Sequence, residues 1–367
     1  MDNTVIEKIQ NAIKEIDEKT FSVMFFVIDS KGAPVGSLAY IYETAYQLKE
    51  MGYNVKMLHA EDDFVGVDSW LGEKYSSLPH FNINPGKDYL DVSPADFLFI
   101  PEIYANVMSK TKELPCKRVA ILQNFGYLTE VIPMGVSWDD LKIHDCITTS
   151  ESLKNRLHDV FPDVSTRIVR PSIPEYFKPS DTPKLMINVV AKNQSEMNSV
   201  IKPFFWKYPI YKWVAFRNVA NLERKEFANA LREGFATLWL DTTTDFGYSA
   251  LEAMASGNIV IGKIPENEPE WMVDDTIVNN GIWFYKNDEA QDAIATAIQS
   301  FITDTVPETI YENARKTAAK YAPEYQKNDI EKVYTGFFEQ RKKELQIFLS
   351  VYEKKLNEEN KEVENNG

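Results

Sequence analysis

The nine residues FSVMFFVID, Phe21 to Asp29, constrain the fold more than any other stretch of the chain. The run is apolar through Ile28 except for Ser22, so it has no polar face to turn toward water. It suits a strand covered on both sides, and such strands belong to parallel sheets with helices on each face. The residues that follow agree. SKGAPVGS reads as a loop. LAYIYETAYQLKEMG reads as a helix ending at Gly52, where a left-handed cap is expected, and YNVKMLHAE reads as a second strand. Strand, glycine-bearing loop, helix and strand open a doubly wound α/β domain.

The alternation continues through the strands FLFIPE, KRVAILQN and DCITTS, the helix ESLKNRLHDVF and the strand TRIVRPSI. PSIPEYFKPSDTPK then places four prolines in fourteen residues, a linker composition. A second series begins with LMINVVAK, KWVAFRNV, the helix RKEFANALREG and the strand ATLWLDT. The spacing predicts two Rossmann-like parallel-sheet domains, 1–170 and 184–322, joined by a linker over 171–183. Val5, Ile9, Ile13 and Ile16 predict a helix over 3–18. Val333, Phe337, Phe338, Leu345 and Phe348 mark one stripe of a helical region over 323–352, and a polar tail covers 353–367.

Composition narrows the function classes. With 367 residues, 44% of them hydrophobic, the chain can build two cores. Its net charge of -15 steers it away from phosphate backbones. Cys116 and Cys146 have no paired spacing and read as reduced core thiols, and the four histidines show no metal-ligand spacing. The first twenty residues carry acids throughout and do not resemble a secretion signal, and no apolar run reaches the roughly twenty residues of a membrane span. A cytoplasmic location is expected.

The stretch TDFGYSALEAMASGNIVIG, Thr244 to Gly262, carries the chemistry. A strand turns at Phe246-Gly247 into a small-residue helix capped by Gly257. In an open parallel sheet the ligand crevice lies at the carboxyl ends of the strands, and a helix start there offers free amides to an anion. Glu252 sits in the middle of that apolar helix. A buried carboxylate needs donors, which a sugar diol supplies in pairs. A nearby Lys or Arg would serve as well.

This stretch resembles the donor-site signature of the GT-B glycosyltransferases, above all their retaining family 4, at Phe246, Gly247, Leu251, Glu252, Ala253, Met254, Ala255 and Gly257. PVGSLAYIYETAYQLKEMGYNVKML resembles the family's first loop and helix, ITTSESLKNRL the close of its first domain, and IVRPSIPEYFKP its linker. The likeness runs from about Phe21 to Ala322. It implies a GT-B fold, with the C-terminal helix crossing back to the first domain. It also implies transfer of a hexose or pentose from a nucleotide-diphosphate sugar, a UDP-sugar foremost, to a glycan, lipid-linked or other hydroxyl acceptor. Retention, no metal and no bound cofactor are implied too.

On that resemblance Glu252 binds the ribose, Phe246, Gly247, Tyr248 and Gly36 line the donor, and Lys192 neutralises the diphosphate. Arg217 and Lys202 are weaker candidates for a second cation. Two departures stand out. Thr244 takes the place of the first acid of the family's E-x7-E pair, so Asp245 is expected to substitute from the next position. Gln123 and Asn124 stand where many members have a histidine, to position sugar or acceptor, and Asp62, after a strand, could touch an acceptor.

Two other readings remain open. KPFFWKYPIYKWVAFRNV, Lys202 to Val219, interleaves cations and aromatics as single-strand binders do, which would suit an enzyme glycosylating DNA bases. The alternative for this stretch is a turn plus a core strand, Trp213 to Phe216. The Thr244 departure raises a catalytically degenerate scaffold.

Overall fold

The computed structural model describes residues 3–272 and 279–365. Seven strands make the first sheet: β1 (Ser22–Phe26), β2 (Asn54–His59), β3 (His80–Asn82), β4 (Phe97–Pro101), β5 (Lys117–Leu122), β6 (Asp145–Thr148) and β7 (Ser165–Ile168), in the order β3-β2-β1-β4-β5-β6-β7. Five more make the second: β8 (Lys184–Val190), β9 (Ala215–Asn218), β10 (Gly234–Trp239), β11 (Ile259–Lys263) and β12 (Ile282–Phe284), in the order β12-β11-β10-β8-β9. Every pairing is parallel.

Helices fill the connections, as parallel pairing requires. Those of the first half are α1 (Asn3–Asp17), α2 (Gly36–Glu50), α3 (Asp68–Leu71), α4 (Ala105–Lys110), α5 (Phe125–Val131) and α6 (Glu151–Val160). Those of the second are α7 (Gln194–Lys207), α8 (Arg224–Glu233), α9 (Tyr248–Ala255), α10 (Ala290–Ile302) and α11 (Glu308–Ala319), and α12 (Pro323–Asn365) ends the chain.

β1 shows why its sequence lacks a polar face. Val23 and Phe25 enter one core with Phe97 and Phe99, while Met24 and Phe26 enter another with Leu98 and Ile100. The helix after β1 ends as its sequence predicts, with Gly52 at φ +86°. Both cysteines are free and buried.

α12 packs on the first sheet. Ile330, Val333, Tyr334, Phe337, Phe338 and Leu345 join its core. Phe338 sits edge-on to Phe21 and Phe97 with ring centroids 4.8 Å away from each. Polar contacts fasten the same helix: Arg170 grips Asp329 through Nε (2.7 Å) and Nη2 (2.9 Å), and Lys117 reaches Glu344 at 3.1 Å. Phe348, expected on this stripe, is 49% exposed: it lies off the buried face of the helix, while Leu345 and Leu349 on either side pack on the first core. The polar residues 353–365 continue the helix.

Two local expectations change. α7 runs on through Lys207 with Pro203 inside it, where only a turn was expected. Trp213 is 62% exposed and precedes β9, so it is no core strand residue; Val214 and Phe216 supply the inward side chains.

Replacing Phe338 with alanine empties the contact between α12 and β1 and β4. Loss of a buried ring of this kind costs about 3–5 kcal/mol. Urea unfolding of Phe338→Ala should show that loss, and a cost under about 1 kcal/mol would mean that α12 is not integral to the first core.

Candidate functional site

Strand order reverses between β1 and β4 in the first sheet and between β8 and β10 in the second. Such switch points leave a crevice beyond the carboxyl ends of the strands. The two carboxyl edges face one another here, and a cavity of about 460 Å³ opens between them.

The second-half wall is the turn from β10 into α9. Gly247 has φ +77°, and a Cβ there would stand 2.9 Å from the Trp271 ring and 3.3 Å from that of Trp239. Only glycine fits both the conformation and the space. Trp271 Nε1 donates to the Phe246 carbonyl (2.6 Å) and Trp239 Nε1 to Ser249 Oγ (3.1 Å), so two buried indoles hold the turn from beneath. Thr244 closes it from above: its hydroxyl accepts the Gly247 amide at 2.9 Å and the Phe246 amide at 3.3 Å. Tyr248 and Ser249, the first residues of α9, line the cavity and bring the amide-rich helix start to its wall.

Glu252 lies one turn further along. It is buried, lines the cavity, and accepts a 2.6 Å bond at Oε1 from Arg224 Nη2. Burial raises the pKa of this carboxyl, and the Arg224 charge pulls it back. Arg224, at the start of α8, also lines the cavity, with Nε buried and unpartnered. Lys192 follows β8 on the same wall, where its own amide and Asn193 form reciprocal caps with Glu196.

The first-half wall begins with Gly36, the first residue of α2. A Cβ on it would meet the Tyr248 ring at 3.4 Å, so loop and helix touch across the cleft. Gln123 Nε2 donates to the Ser37 carbonyl at 3.2 Å. Asn124 caps α5, accepting the Gly126 amide at 2.8 Å, and donates through Nδ2 to the Thr243 carbonyl opposite at 2.8 Å. Both residues line the cavity.

Asp245 takes another direction. Its Oδ1 accepts Arg156 Nη1 at 2.8 Å and its Oδ2 accepts the Phe125 amide at 2.6 Å. It is buried, and both oxygens serve as a tie to the first half. Asp62 is exposed, with Lys87 at 3.2 Å and Asn82 at 3.0 Å. Arg217 turns inward, to Asn188 (2.8 Å) and Glu233 (2.9 Å). Lys202 is exposed on α7. The structure thus gathers Gly36, Gln123, Asn124, Lys192, Phe246, Tyr248 and Glu252 around one cavity, with Gly247 shaping its wall, and leaves Asp62 and Arg217 outside.

Two residues complete the cavity that the sequence did not single out. Arg224 is the second cation, hidden because its partner Glu252 is 28 residues away. Glu102 is a buried carboxyl at the end of β4, where its Oε1 accepts the amides of Gln123 (3.2 Å) and Asn124 (2.8 Å). Its one signal was an acid directly after a fully apolar strand. Burial pushes its pKa up to about 7, although the amide bonds of Asn124 and Gln123 lower it; the Asp245 charge adds to the rise.

The ordinary value for this carboxyl is 4.5. Its folded pKa is higher, so folding favours the protonated form. The penalty for charging Glu102 is absent below about pH 4.5, grows as pH rises toward 7, and is constant above. It amounts to about 3 kcal/mol at most. Glu102→Gln should therefore gain stability relative to the parent between about pH 4.5 and pH 8 in urea unfolding. An unchanged difference across that window would show that Glu102 does not titrate there.

A scan against protein families returns no match for the sequence. The chain is 23% identical over 305 residues to an alpha-1,6-glucosyltransferase of Actinobacillus pleuropneumoniae serotype 7 (strain AP76), covering 80% of this chain and 88% of that protein. In structure it is similar to sucrose-phosphate synthase from Thermosynechococcus elongatus, with TM-score 0.62, 14% identity, and coverage of 87% of this chain and 100% of that one. It is also similar to HepE of Anabaena in complex with UDP-glucose, with TM-score 0.58, 12% identity, and coverage of 86% and 99%. The fold is that of the GT-B glycosyltransferases: two Rossmann-like parallel sheets facing a cleft, with a C-terminal helix packed back on the first.

Proposed function

We propose that the protein is a glycosyltransferase moving a sugar from a nucleotide-diphosphate donor to a hydroxyl acceptor. The observation that carries this is the convergence of two switch points, a helix start, a buried carboxylate and two cations on one cavity. Breaking the anomeric bond puts negative charge on the leaving phosphate, and fixed positive groups favour that change. Lys192 and Arg224 are such groups, and the first amides of α9 add to them. Neutralisation of the diphosphate by these residues makes a metal unnecessary in this reading.

Glu252 keeps one oxygen for Arg224 and offers the other to the ribose hydroxyls. Tyr248 and Gly36 close over the donor, Gln123 and Glu102 face the acceptor side, and Asp245 and Asn124 hold the halves together. Glucose is the sugar best supported, from the names of a relative and a structural neighbour. The relative's product is named as α-linked, and the glucose of UDP-glucose is α-linked too, so transfer between such partners is retaining. The leaving phosphate then takes the acceptor's proton. Among the described residues no helix is long and apolar enough to cross a membrane, and we place the reaction in the cytoplasm.

Thermal unfolding with UDP, GDP, ADP, CMP and dTDP tests this reading. A nucleotide at 100 times its dissociation constant stabilises by about 2.7 kcal/mol. UDP should raise the midpoint of the parent, and Glu252→Ala and Lys192→Ala should each weaken that rise. UDP-glucose should then be hydrolysed slowly without an acceptor. If no nucleotide shifts the midpoint, the donor reading fails, and the degenerate scaffold takes its place.

A further inference from the structure

The segment between β8 and β9 has a second feature that the cleft does not use. Of the chain's seven tryptophans, Trp206 and Trp213 stand out in solvent, 75% and 62% exposed, with Ile210 between them at 73%. The other five are buried or half-buried. These three apolar side chains fall within eight residues.

The exposure is built in. The same segment sends its other rings inward: Phe204 is fully buried, Tyr211 stacks on it with centroids 6.0 Å apart and planes 7° apart, and Phe216 packs edge-on to it at 5.6 Å. Tyr211 Oη donates to Gln299 on α10 at 3.0 Å, and Tyr208 bonds Asp292 on the same helix. The turn is therefore anchored at four rings while the tryptophans point away. An apolar patch held outward on a rigid base marks an interaction surface.

Charge says what kind. From Met197 to Leu222 the chain holds no Asp or Glu and four cations, in a protein of net charge -15. Arg217 is turned inward to Glu233 and Lys207 pairs with Asp292 at 2.6 Å, which leaves Lys202 and Lys212 exposed beside the rings. Tryptophan with lysine suits the boundary of an anionic bilayer, where the indole enters the headgroup level and the ammonium meets lipid phosphate. A second copy on a twofold axis would bring the same lysines face to face, a repulsive arrangement.

We propose that the turn carrying Trp206, Ile210 and Trp213, flanked by Lys202 and Lys212, docks the protein onto an anionic lipid surface. α7 starts beside Lys192 at the cavity and runs 14 residues, about 21 Å, with Trp206 of the patch in its last turn. The patch thus lies at the far end of the second sheet. Docking there leaves the cleft open to solvent.

The test is sedimentation of the full chain with vesicles of phosphatidylcholine alone and with one quarter phosphatidylglycerol. The protein should sediment with the anionic vesicles, less so as salt is raised. Trp206→Ala/Trp213→Ala should lower the partition coefficient at least tenfold, and Lys202→Glu/Lys212→Glu should remove the preference for the anionic vesicles. All four side chains are exposed, so unchanged melting midpoints certify the fold. No sedimentation with either vesicle at low salt overturns the proposal, as does a double tryptophan variant within twofold of the parent. Self-association or oligothymidine binding that is lost in the tryptophan variant, without vesicle binding, assigns the surface to a second copy or to nucleic acid instead.

Discussion

Parallel pairing is the constraint on which everything else here rests. A strand that runs alongside its neighbour can be reached only by a crossover, so every connection returns the chain to the same end of the sheet and every strand delivers its following loop to one edge. At the cavity the first sheet collects the ends of β1, β4, β5 and β6 in this way, and the second those of β8, β9 and β10. Neither edge alone encloses a ligand. The cavity exists where they meet, and the meeting is chemical: Gly36 against Tyr248, Asn124 against Thr243, Arg156 against Asp245.

The cavity's charge is finely divided. Glu252 is offset by Arg224, and Glu102 is held near the point of losing its proton. Lys192 lines the same cavity, as does Asp241, whose Oδ1 accepts from the Thr243 amide and hydroxyl. Where the GT-B signature has an acid, this chain has a hydroxyl that satisfies two amides of the turn. The turn keeps its shape without an acid at this position.

Legibility in the sequence followed range. β1 could be read because its evidence is local: no polar face, hence cover on both sides. The turn at Gly247 could be read for the same reason, since a glycine between a strand and a small-residue helix means little else. α7 was hidden by Pro203 and a crowd of aromatics, whose division into inward and outward rings depends on α10, about 90 residues away. Asp245 looked like a donor contact because it neighbours the motif, yet its partner Arg156 lies 89 residues earlier. Arg224 and Glu102 were missed for the complementary reason. For Glu102 the only local sign is the apolar strand before it, and for Arg224 there is none, since its partner Glu252 is remote in the chain.

The chain passes between the two halves twice, once after β7 and once before α12. The two passages lie side by side: the Ile173 amide donates to the Tyr321 carbonyl at 2.7 Å, Ser172 bonds Gln326 at 2.6 Å, and Arg170 holds Asp329 just beyond. A single strand of linker would let one half swivel freely about the other. Two passages bonded to each other tie the halves along a line, so the join does not depend on one linker alone.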